Sequence, residues 1–267
     1  MRNSSALIIS VMILLTSFVQ LAGQNNNASP IFVGHRGASY LAPQNTVASI
    51  QLAWDLGAKA AECDVMLSSD HKVVVFHDKN TKKLTGISHE VADTPWEVLK
   101  ELDVLLSESN KAEYEGESIP QLSQLLATLP KDRMLVIEIK TGPEILPFLK
   151  MELDQHWVKG DIAFISFDFD AVRQAKALYP EVPCYYLAMF GADANIHLDK
   201  AVEAGLDGLN LRHAIINEKL VAKCREAGLD LWCWTVNDVE TAHKMSQLGV
   251  SGITTDRPAW LREQISQ

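Results

Sequence analysis

The chain has 267 residues, of which 47% are hydrophobic, 34 are acidic and 24 are basic, giving a formal net charge of -10. This balance argues against a nucleic-acid backbone as the main partner, because such partners require a basic surface. The length and composition fit a globular protein of one large domain or two small ones.

The first residues follow the order of charge and hydrophobicity that is typical of an export signal. Arg2 precedes an uncharged apolar run over residues 6–19, and a polar stretch begins at residue 24. The apolar run is short for a membrane span, which favours a cleaved signal over an uncleaved anchor. We therefore predict a signal peptide over residues 1–23, a short polar linker over 24–30 and a single domain over 31–267. The mature protein is expected to be periplasmic or secreted, without a membrane span.

Apolar runs and helix-like segments alternate along the rest of the chain. Strands are predicted over residues 31–34, 60–66, 73–76, 135–139, 162–166, 184–188, 208–211, 231–236 and 252–254. Helices are predicted over residues 46–56, 95–101, 122–128, 144–152, 168–178, 199–204, 217–227 and 238–248. This alternation indicates a parallel sheet covered by helices, and the length suits a TIM (β/α)8 barrel. A doubly wound fold is the alternative, but no GxGxxG follows the first strand.

Two segments depart from a regular barrel. Only residues 67–72 separate the second and third predicted strands, which is too few for a parallel crossover. We therefore expect an irregular, hairpin-like pair near residues 60–77, and this pair accounts for nine predicted strands where a barrel has eight places. A long polar excursion near residues 79–120 is expected to cover one end of the barrel.

Acidic side chains lie near the ends of two predicted strands. Strand side chains alternate between faces, so Glu62 and Asp64 share one face of their strand. Glu138 lies near the end of the next long strand, and the C-terminal strand ends of a barrel form its active-site face. Carboxylates gathered there repel one another unless a cation is bound among them. Oxygen ligands favour a hard ion, Mg²⁺ or Ca²⁺, over zinc.

Cations and histidines are expected at the same mouth. His35 and Arg36 follow the first strand, His77 follows the third, and Lys140 shares a face with Glu138. A metal together with Arg36 and Lys140 would attract a phosphate group. The two histidines could then act as a general acid–base pair near neutral pH. The pattern therefore predicts metal-assisted chemistry on a phosphate ester.

These motifs make the chain resemble the glycerophosphodiester phosphodiesterase family, within the PLC-like phosphodiesterase superfamily. In the family's order, the matching segments are HRG at 35–37, PQNT at 43–46, ECD at 62–64, HD at 77–78, EIK at 138–140, WTVN at 234–237 and TDRP at 255–258. The resemblance spans residues 31 to 260. It implies a TIM barrel that hydrolyses glycerophosphodiesters with the help of one divalent cation, Mg²⁺ or Ca²⁺.

The resemblance also implies a role for each matching residue. It implies Glu62, Asp64 and Glu138 as metal ligands, His35 and His77 as the acid–base pair, Arg36 and Lys140 as phosphate contacts, and Trp234 as a wall for the alcohol moiety. The sequence departs from the family at Gln44, where Glu is usual. Gln44 and Asn45 are expected in a shell that supports the ligands. Glutamine keeps an acceptor oxygen but lacks the negative charge, so metal affinity or pH dependence should differ.

The expected function is that of an exported, metal-dependent phosphodiesterase that releases sn-glycerol 3-phosphate and an alcohol from small-molecule glycerophosphodiesters. One alternative is a lipid phosphodiesterase similar to lysophospholipase D or sphingomyelinase D, which a wide apolar mouth would favour. Another is a non-catalytic phosphodiester-binding protein, although retention of both histidines and all three carboxylates speaks against it. The sequence leaves open which histidine is the acid, which head group is preferred and how many subunits assemble.

Overall fold

The structure is a computed structural model that describes residues 29–105, 113–189 and 194–266. The predicted signal peptide and most of the predicted linker lie outside these ranges. The described strands are β1 (Ile31–Gly34), β2 (Ala60–Leu67), β3 (Val73–Val75), β4 (Met134–Ile139), β5 (Asp161–Ser166), β6 (Cys184–Ala188), β7 (Gly208–Arg212), β8 (Asp230–Trp234) and β9 (Gly252–Thr255).

Eight of these strands form a closed parallel barrel, as the sequence predicts. β1 pairs in parallel with both β2 and β9, and the ladder continues from β2 through β4, β5, β6, β7 and β8 to β9. The short apolar strands are covered on both faces, which is why they lack an apolar–polar alternation over most of their length. Closure places the C-terminal ends of all eight strands around one mouth.

The ninth strand, β3, is the irregular partner that the short connection predicts. It pairs antiparallel with the end of β2, with Val65 opposite Val75 and Leu67 opposite Val73. The excursion that follows packs against this hairpin through a small apolar cluster of its own, which includes Phe76, Leu99 and Ile119. It therefore lies beside the C-terminal end of β2. Residues 106–112 of the predicted excursion lie outside the described ranges.

Helices surround the barrel. They are α1 (Val47–Asp55), α2 (Lys82–Thr85), α3 (Trp96–Leu99), α4 (Leu122–Thr128), α5 (Leu146–His156), α6 (Phe169–Leu178), α7 (Ala194–Glu203), α8 (Glu218–Glu226), α9 (Val239–Leu248) and α10 (Pro258–Ile265). Side chains that accept a hydrogen bond from the first turn begin several of them, such as Thr46 of α1, Asp168 of α6 and Asp238 of α9. No prediction covers α2 or α10, and α7 begins five residues before its predicted start.

The apolar residues form two layers around the barrel wall. A large outer layer joins the outward faces of the strands to the helices, and a smaller one fills the barrel interior around Tyr185 and Trp232. The four cysteines are free and buried. Among the described residues, we find no helix of the length and apolar character that a membrane crossing needs.

Candidate active site

Three carboxylates cluster at the C-terminal mouth of the barrel. Glu62 and Asp64 project from the inner face of β2, and the pairing of β2 with β4 places Asp64 opposite Glu138. One carboxylate oxygen of each residue lies within 4.8 Å of the others. Between the two acidic residues of β2, the Cys63 side chain joins the outer apolar layer, as strand alternation predicts.

The cluster contains buried oxygens that lack donors. Glu62 and Asp64 are only 2% and 1% exposed, and Glu62 Oε1 and Asp64 Oδ1 accept no hydrogen bond from the described residues. Burial and the neighbouring carboxylates raise the pKa of Glu62 well above its usual range. Burial and the charge of Asp64 raise the pKa of Glu138 to about 7. Such a group of acceptors and like charges is costly alone, so these residues fit a divalent cation with oxygen ligands.

Asp64 differs because two cations and an amide surround it. Burial raises the pKa of Asp64, but the charges of Arg36 and Lys140 outweigh burial and lower it. Arg36 Nε lies 3.2 Å from Asp64 Oδ2, and Lys140 Nζ lies 3.5 Å from Oδ1. Asn45 donates from Nδ2 to Asp64 Oδ2 at 2.8 Å and accepts from the Asp64 main-chain N–H at 3.0 Å. Asn45 thus contacts both the carboxylate and the main chain of Asp64, and its supporting role stays a prediction.

Arg36 is held by both its main chain and its side chain. Its main-chain N–H donates to Glu62 Oε2 at 2.8 Å, and its Nη1 donates to Gln44 Oε1. The glutamine therefore contacts the predicted phosphate-binding guanidinium. A glutamate at position 44 would pair with the same guanidinium as a full ion pair, so Gln44 changes the charge at the site without removing the contact.

Lys140 contacts two of the three carboxylates, Asp64 and Glu138. Its ammonium donates to Glu138 Oε1 at 2.7 Å and lies 5.9 Å from the ring centroid of Phe167. Burial lowers the pKa of Lys140, but the carboxylates of Glu138 and Asp64 outweigh burial and raise it. The ammonium therefore remains charged at neutral pH and is available to an anionic ligand.

His35 follows β1 and is paired with a carboxylate from the far end of the chain. Its Nδ1 lies 2.7 Å from Asp256 Oδ1, and Asp256 directly follows β9. Asp256 also accepts from Ser39 Oγ at 3.1 Å and from Asn237 Nδ2 at 2.6 Å. Burial raises the pKa of Asp256, but the hydrogen bond from His35 and the charge of His35 outweigh it, and the pKa is lowered.

His77 follows β3 and is paired with its neighbour in sequence. Its Nδ1 lies 2.6 Å from Asp78 Oδ1, and Lys83 lies 3.9 Å from the other oxygen of Asp78. Burial lowers the pKa of His77, although the charge of Asp64 opposes the shift. The lowered pKa favours the neutral form of the imidazole, which can accept a proton.

Trp234 ends β8 at the rim of the same mouth. Its Nε1 donates to the main-chain oxygen of Asn210 at 3.2 Å, and Phe167 packs edge-on against its ring at a centroid distance of 5.5 Å. Phe167 itself is 40% exposed. The pair forms an aromatic surface beside Lys140, and the role of Trp234 as a wall for the alcohol moiety stays a prediction.

Two contacts at this site were not assigned by the sequence motifs. TDRP and WTVN contain Asp256 and Asn237, but neither residue has a predicted role. Asp256 lies 221 positions after His35 in the sequence, so the two residues meet only because the barrel closes. A carboxylate directly after the last strand, at the active-site end of a barrel, is the signal that could have identified Asp256.

Comparison with known proteins places these features in a family. The sequence pattern of the glycerophosphoryl diester phosphodiesterase family matches residues 35–260. A putative glycerophosphodiester phosphodiesterase of Bacillus subtilis is 32% identical over 86% of this chain and 95% of its own length. A glycerophosphodiester phosphodiesterase of Caldanaerobacter subterraneus is 31% identical over 86% of this chain and 96% of its own length.

A solved structure agrees with the sequence relatives. An Oleispira antarctica phosphodiesterase in complex with the product sn-glycerol-3-phosphate superposes with a TM-score of 0.83 at 29% identity, covering 90% of this chain and 98% of that one. Fold and site together define a TIM-barrel hydrolase of phosphoric diesters. The chain belongs to the glycerophosphoryl diester phosphodiesterase family, and its enzymatic activity is that of a glycerophosphodiester phosphodiesterase.

Proposed function

We propose that this protein is an exported enzyme that hydrolyses glycerophosphodiesters to sn-glycerol 3-phosphate and an alcohol, with one divalent cation, Mg²⁺ or Ca²⁺. The observation that carries the proposal is the buried carboxylate cluster, in which two oxygens have no hydrogen-bond donor among the described residues and Arg36 and Lys140 flank Asp64. The relative in complex with sn-glycerol-3-phosphate supports the choice of product.

The phosphoryl group would bind where the cluster and the two cations meet. Glu62, Asp64 and Glu138 would hold the cation, which when bound supplies positive charge to the phosphoryl oxygens. Arg36 offers a guanidinium oriented by Gln44, and Lys140 offers a charged ammonium fixed by Glu138. Both can hydrogen-bond the oxygens as negative charge develops on them.

The two histidines would move the protons. One imidazole takes a proton from the nucleophile, either water or the glycerol 2-hydroxyl, as the new phosphorus–oxygen bond forms. The other gives a proton to the departing alcohol oxygen as its bond to phosphorus breaks. The carboxylates of Asp256 and Asp78 engage Nδ1 of His35 and His77, which leaves Nε2 of each ring for these transfers. An attack by the 2-hydroxyl would pass through a cyclic phosphate that water then opens.

Turnover of a defined diester tests this proposal. Purified protein spanning residues 24–267 is given glycerophosphocholine, and glycerol 3-phosphate is measured with EDTA, Mg²⁺ or Ca²⁺. His35→Ala and Glu62→Gln are compared with His156→Ala, which alters an exposed histidine at the end of α5. We expect activity that requires a cation, survives His156→Ala and falls by about 10²-fold or more in the other two variants.

The pattern of failure separates the alternatives. Tight binding of the diester without turnover under any metal condition would favour a phosphodiester-binding protein. Full activity in EDTA, or in Glu62→Gln, would overturn the metal site while leaving the enzymatic activity in place.

One observation favours the lipid phosphodiesterase as a second candidate. A largely apolar pocket of about 350 Å³ adjoins Asp256, and exposed Tyr40, Leu41 and Trp260 line it. Exposed apolar patches of this kind often bind ligands or membranes. Comparing lysophosphatidylcholine with glycerophosphocholine as substrates decides between the candidates. If the pocket holds an acyl chain, Trp260→Ala will impair turnover of lysophosphatidylcholine but not of glycerophosphocholine. If the substitution alters the turnover of neither substrate, this candidate is removed.

A further inference from the structure

Asp256 is fixed from several directions at once. Its Oδ1 accepts from His35 Nδ1 and Ser39 Oγ, and its Oδ2 accepts from Asn237 Nδ2. Its main-chain oxygen accepts from the N–H of Tyr40 at 3.2 Å. The carboxylate therefore has little freedom to turn away from the imidazole.

The His35 backbone is tied to the same turn. The His35 N–H donates to the main-chain oxygen of Thr255 at 2.9 Å, so the end of β1 is bonded to the end of β9. An ionised carboxylate accepts hydrogen bonds and does not donate them, which requires Nδ1 of His35 to carry the proton. The neutral ring then has its lone pair on Nε2. A partner that fixes one ring nitrogen thus selects both the tautomer and the orientation of the ring.

The Asn237 side chain uses nearly all of its hydrogen-bonding capacity on Thr255 and Asp256, at the end of β9. Its Nδ2 donates to Asp256 Oδ2, and its Oδ1 accepts from the Asp256 main-chain N–H at 2.9 Å and from Thr255 Oγ1 at 3.0 Å. The amide therefore bridges the main chain and side chain of Asp256. Because Asn237 is exposed, each bond contributes less than it would in the interior.

His77 offers an internal contrast. Its partner, Asp78, is adjacent in sequence, and the contact that we find for the second carboxylate oxygen of Asp78 among the described residues is Lys83 at 3.9 Å. The two histidine–carboxylate pairs are therefore held to different degrees. His35 is held through three barrel loops, whereas His77 is held within one.

We propose that Asp256 is the positioning residue for His35, and that Asn237 sets the position of Asp256. Asp256 keeps the Nδ1–H form of the ring and aims Nε2 at the substrate, without touching the substrate itself. The kinetic part of this inference rests on the proposed acid–base role of His35; the tautomer of the ring does not.

Nitrogen NMR of protein labelled with ¹⁵N-histidine tests the tautomer directly. The His35 resonances are identified by their loss in His35→Ala, at a pH where the ring is neutral. We expect a protonated Nδ1 and an unprotonated Nε2 in the protein with its native sequence. Asn237→Ala should give a mixture of tautomers, and Asp256→Asn a larger change. A native His35 ring protonated at Nε2 would overturn the proposal, whatever the enzyme proves to hydrolyse.

Kinetics then tests whether the contact acts through His35. Asp256→Asn should lower kcat by about 10²-fold or more with KM changed less than about twofold, and Asn237→Ala should lower kcat severalfold. In the His35→Ala background, neither substitution should reduce kcat further, because the group that they position is gone. Equal losses in both backgrounds would show a merely structural role and overturn the proposal.

Asn217→Ala is the matched control. Asn217 caps α8 on the same side of the barrel by accepting from the Leu220 N–H at 3.0 Å, and it has no contact with His35. We expect this variant to lose thermal stability while keeping the His35 tautomer and kcat. If the native protein hydrolyses no diester, the proposed function fails, and the NMR result still decides whether Asp256 positions the ring.

Discussion

Asp64 and Glu138 face each other on neighbouring strands, yet their pKa values move in opposite directions. Burial raises both, but Asp64 lies between the charges of Arg36 and Lys140, which lower its pKa, whereas the pKa of Glu138 reaches about 7. The pKa of Glu62 is raised like that of Glu138, and burial is the main cause. One carboxylate is thus ionised over the neutral range while its neighbours resist ionisation until a cation lies among them.

This difference predicts how the metal-free protein responds to pH. A raised folded pKa gives stability that is complete below the unfolded value, near 4.5 for Glu138, and that is lost as pH rises through the folded value of about 7. The lowered pKa of Asp64 acts oppositely, since its contribution persists until pH falls below about 4. We therefore expect the thermal unfolding midpoint of the protein in EDTA to decrease as the pH is raised from about 5 to about 8. Mg²⁺ or Ca²⁺ should raise this midpoint most at the higher pH.

Glu138→Gln is the control for this measurement. The glutamine at position 138 cannot ionise, so the thermal unfolding midpoint of this variant in EDTA should decrease less over the same pH range. The cation should also stabilise the variant less. An equally steep fall in Glu138→Gln would assign the pH dependence to other groups.

Gln44 allows a second test with a single atom changed. Gln44→Glu would place a negative charge against the Arg36 guanidinium, which itself lies beside Asp64. The added charge should tighten cation binding by about tenfold or less, because Arg36 screens most of it. The measurement is the cation concentration that gives half of the maximal thermal protection. Gln44→Met, which lacks both the charge and the acceptor, should not tighten binding; equal affinities in the two variants would rule out the charge as the cause.

At the scale of the elements, the turn from β1 into α1 depends on one glycine. Gly37 has a φ of 87°, and a Cβ at this position would lie 2.6 Å from the main-chain oxygen of Ser49 in α1. Its N–H also bonds to the main-chain oxygens of Gly34 and Glu62, each at 3.1 Å. Gly37 therefore lies too close to α1 to carry any side chain.

Gly37→Ala should consequently damage both stability and activity. Left-handed strain and the clash with Ser49 together should cost about 2–4 kcal/mol, and displacement of His35 and Arg36 should lower kcat by more than about tenfold. Gly86→Ala is the control, since Gly86 has a φ of 76° but nothing within 4 Å of the added Cβ. It should cost about 1 kcal/mol and leave kcat unchanged. Denaturant unfolding and turnover measure both, and equal costs would contradict the packing argument.

The elements themselves could be predicted to different degrees. Strand positions were within two residues because each strand is a short apolar run between polar turns, and the β2–β3 hairpin followed from the length of one connection. The helix α10 was missed because it begins inside the TDRP motif, with Pro258 at its first position, and is only eight residues long. The start of α7, at Ala194, was also missed.

Across the whole molecule, the sequence predicts which residues meet but not how they are joined. Alternation within β2 and β4 was enough to bring Glu62, Asp64 and Glu138 to one mouth. The bond from His35 to Asp256 required the closing pair of β1 and β9, whose register cannot be inferred from either strand alone. Arg36 and Lys140 lie beside the carboxylates of this mouth in a chain with a net charge of -10, so the proposed anion binding would follow from local arrangement and not from overall charge.

Export is the remaining prediction for the whole molecule. The first strand begins at Ile31, so cleavage near residue 23 would leave every described strand intact. When the full chain is produced in a secreting host, we expect exported protein with a new N-terminus near residue 24. Its unfolding midpoint and turnover should match those of protein made directly as residues 24–267. Leu14→Arg, which places a charge in the apolar run, should block export without altering the barrel. Recovery of an intact N-terminus in the membrane fraction would instead establish an uncleaved anchor.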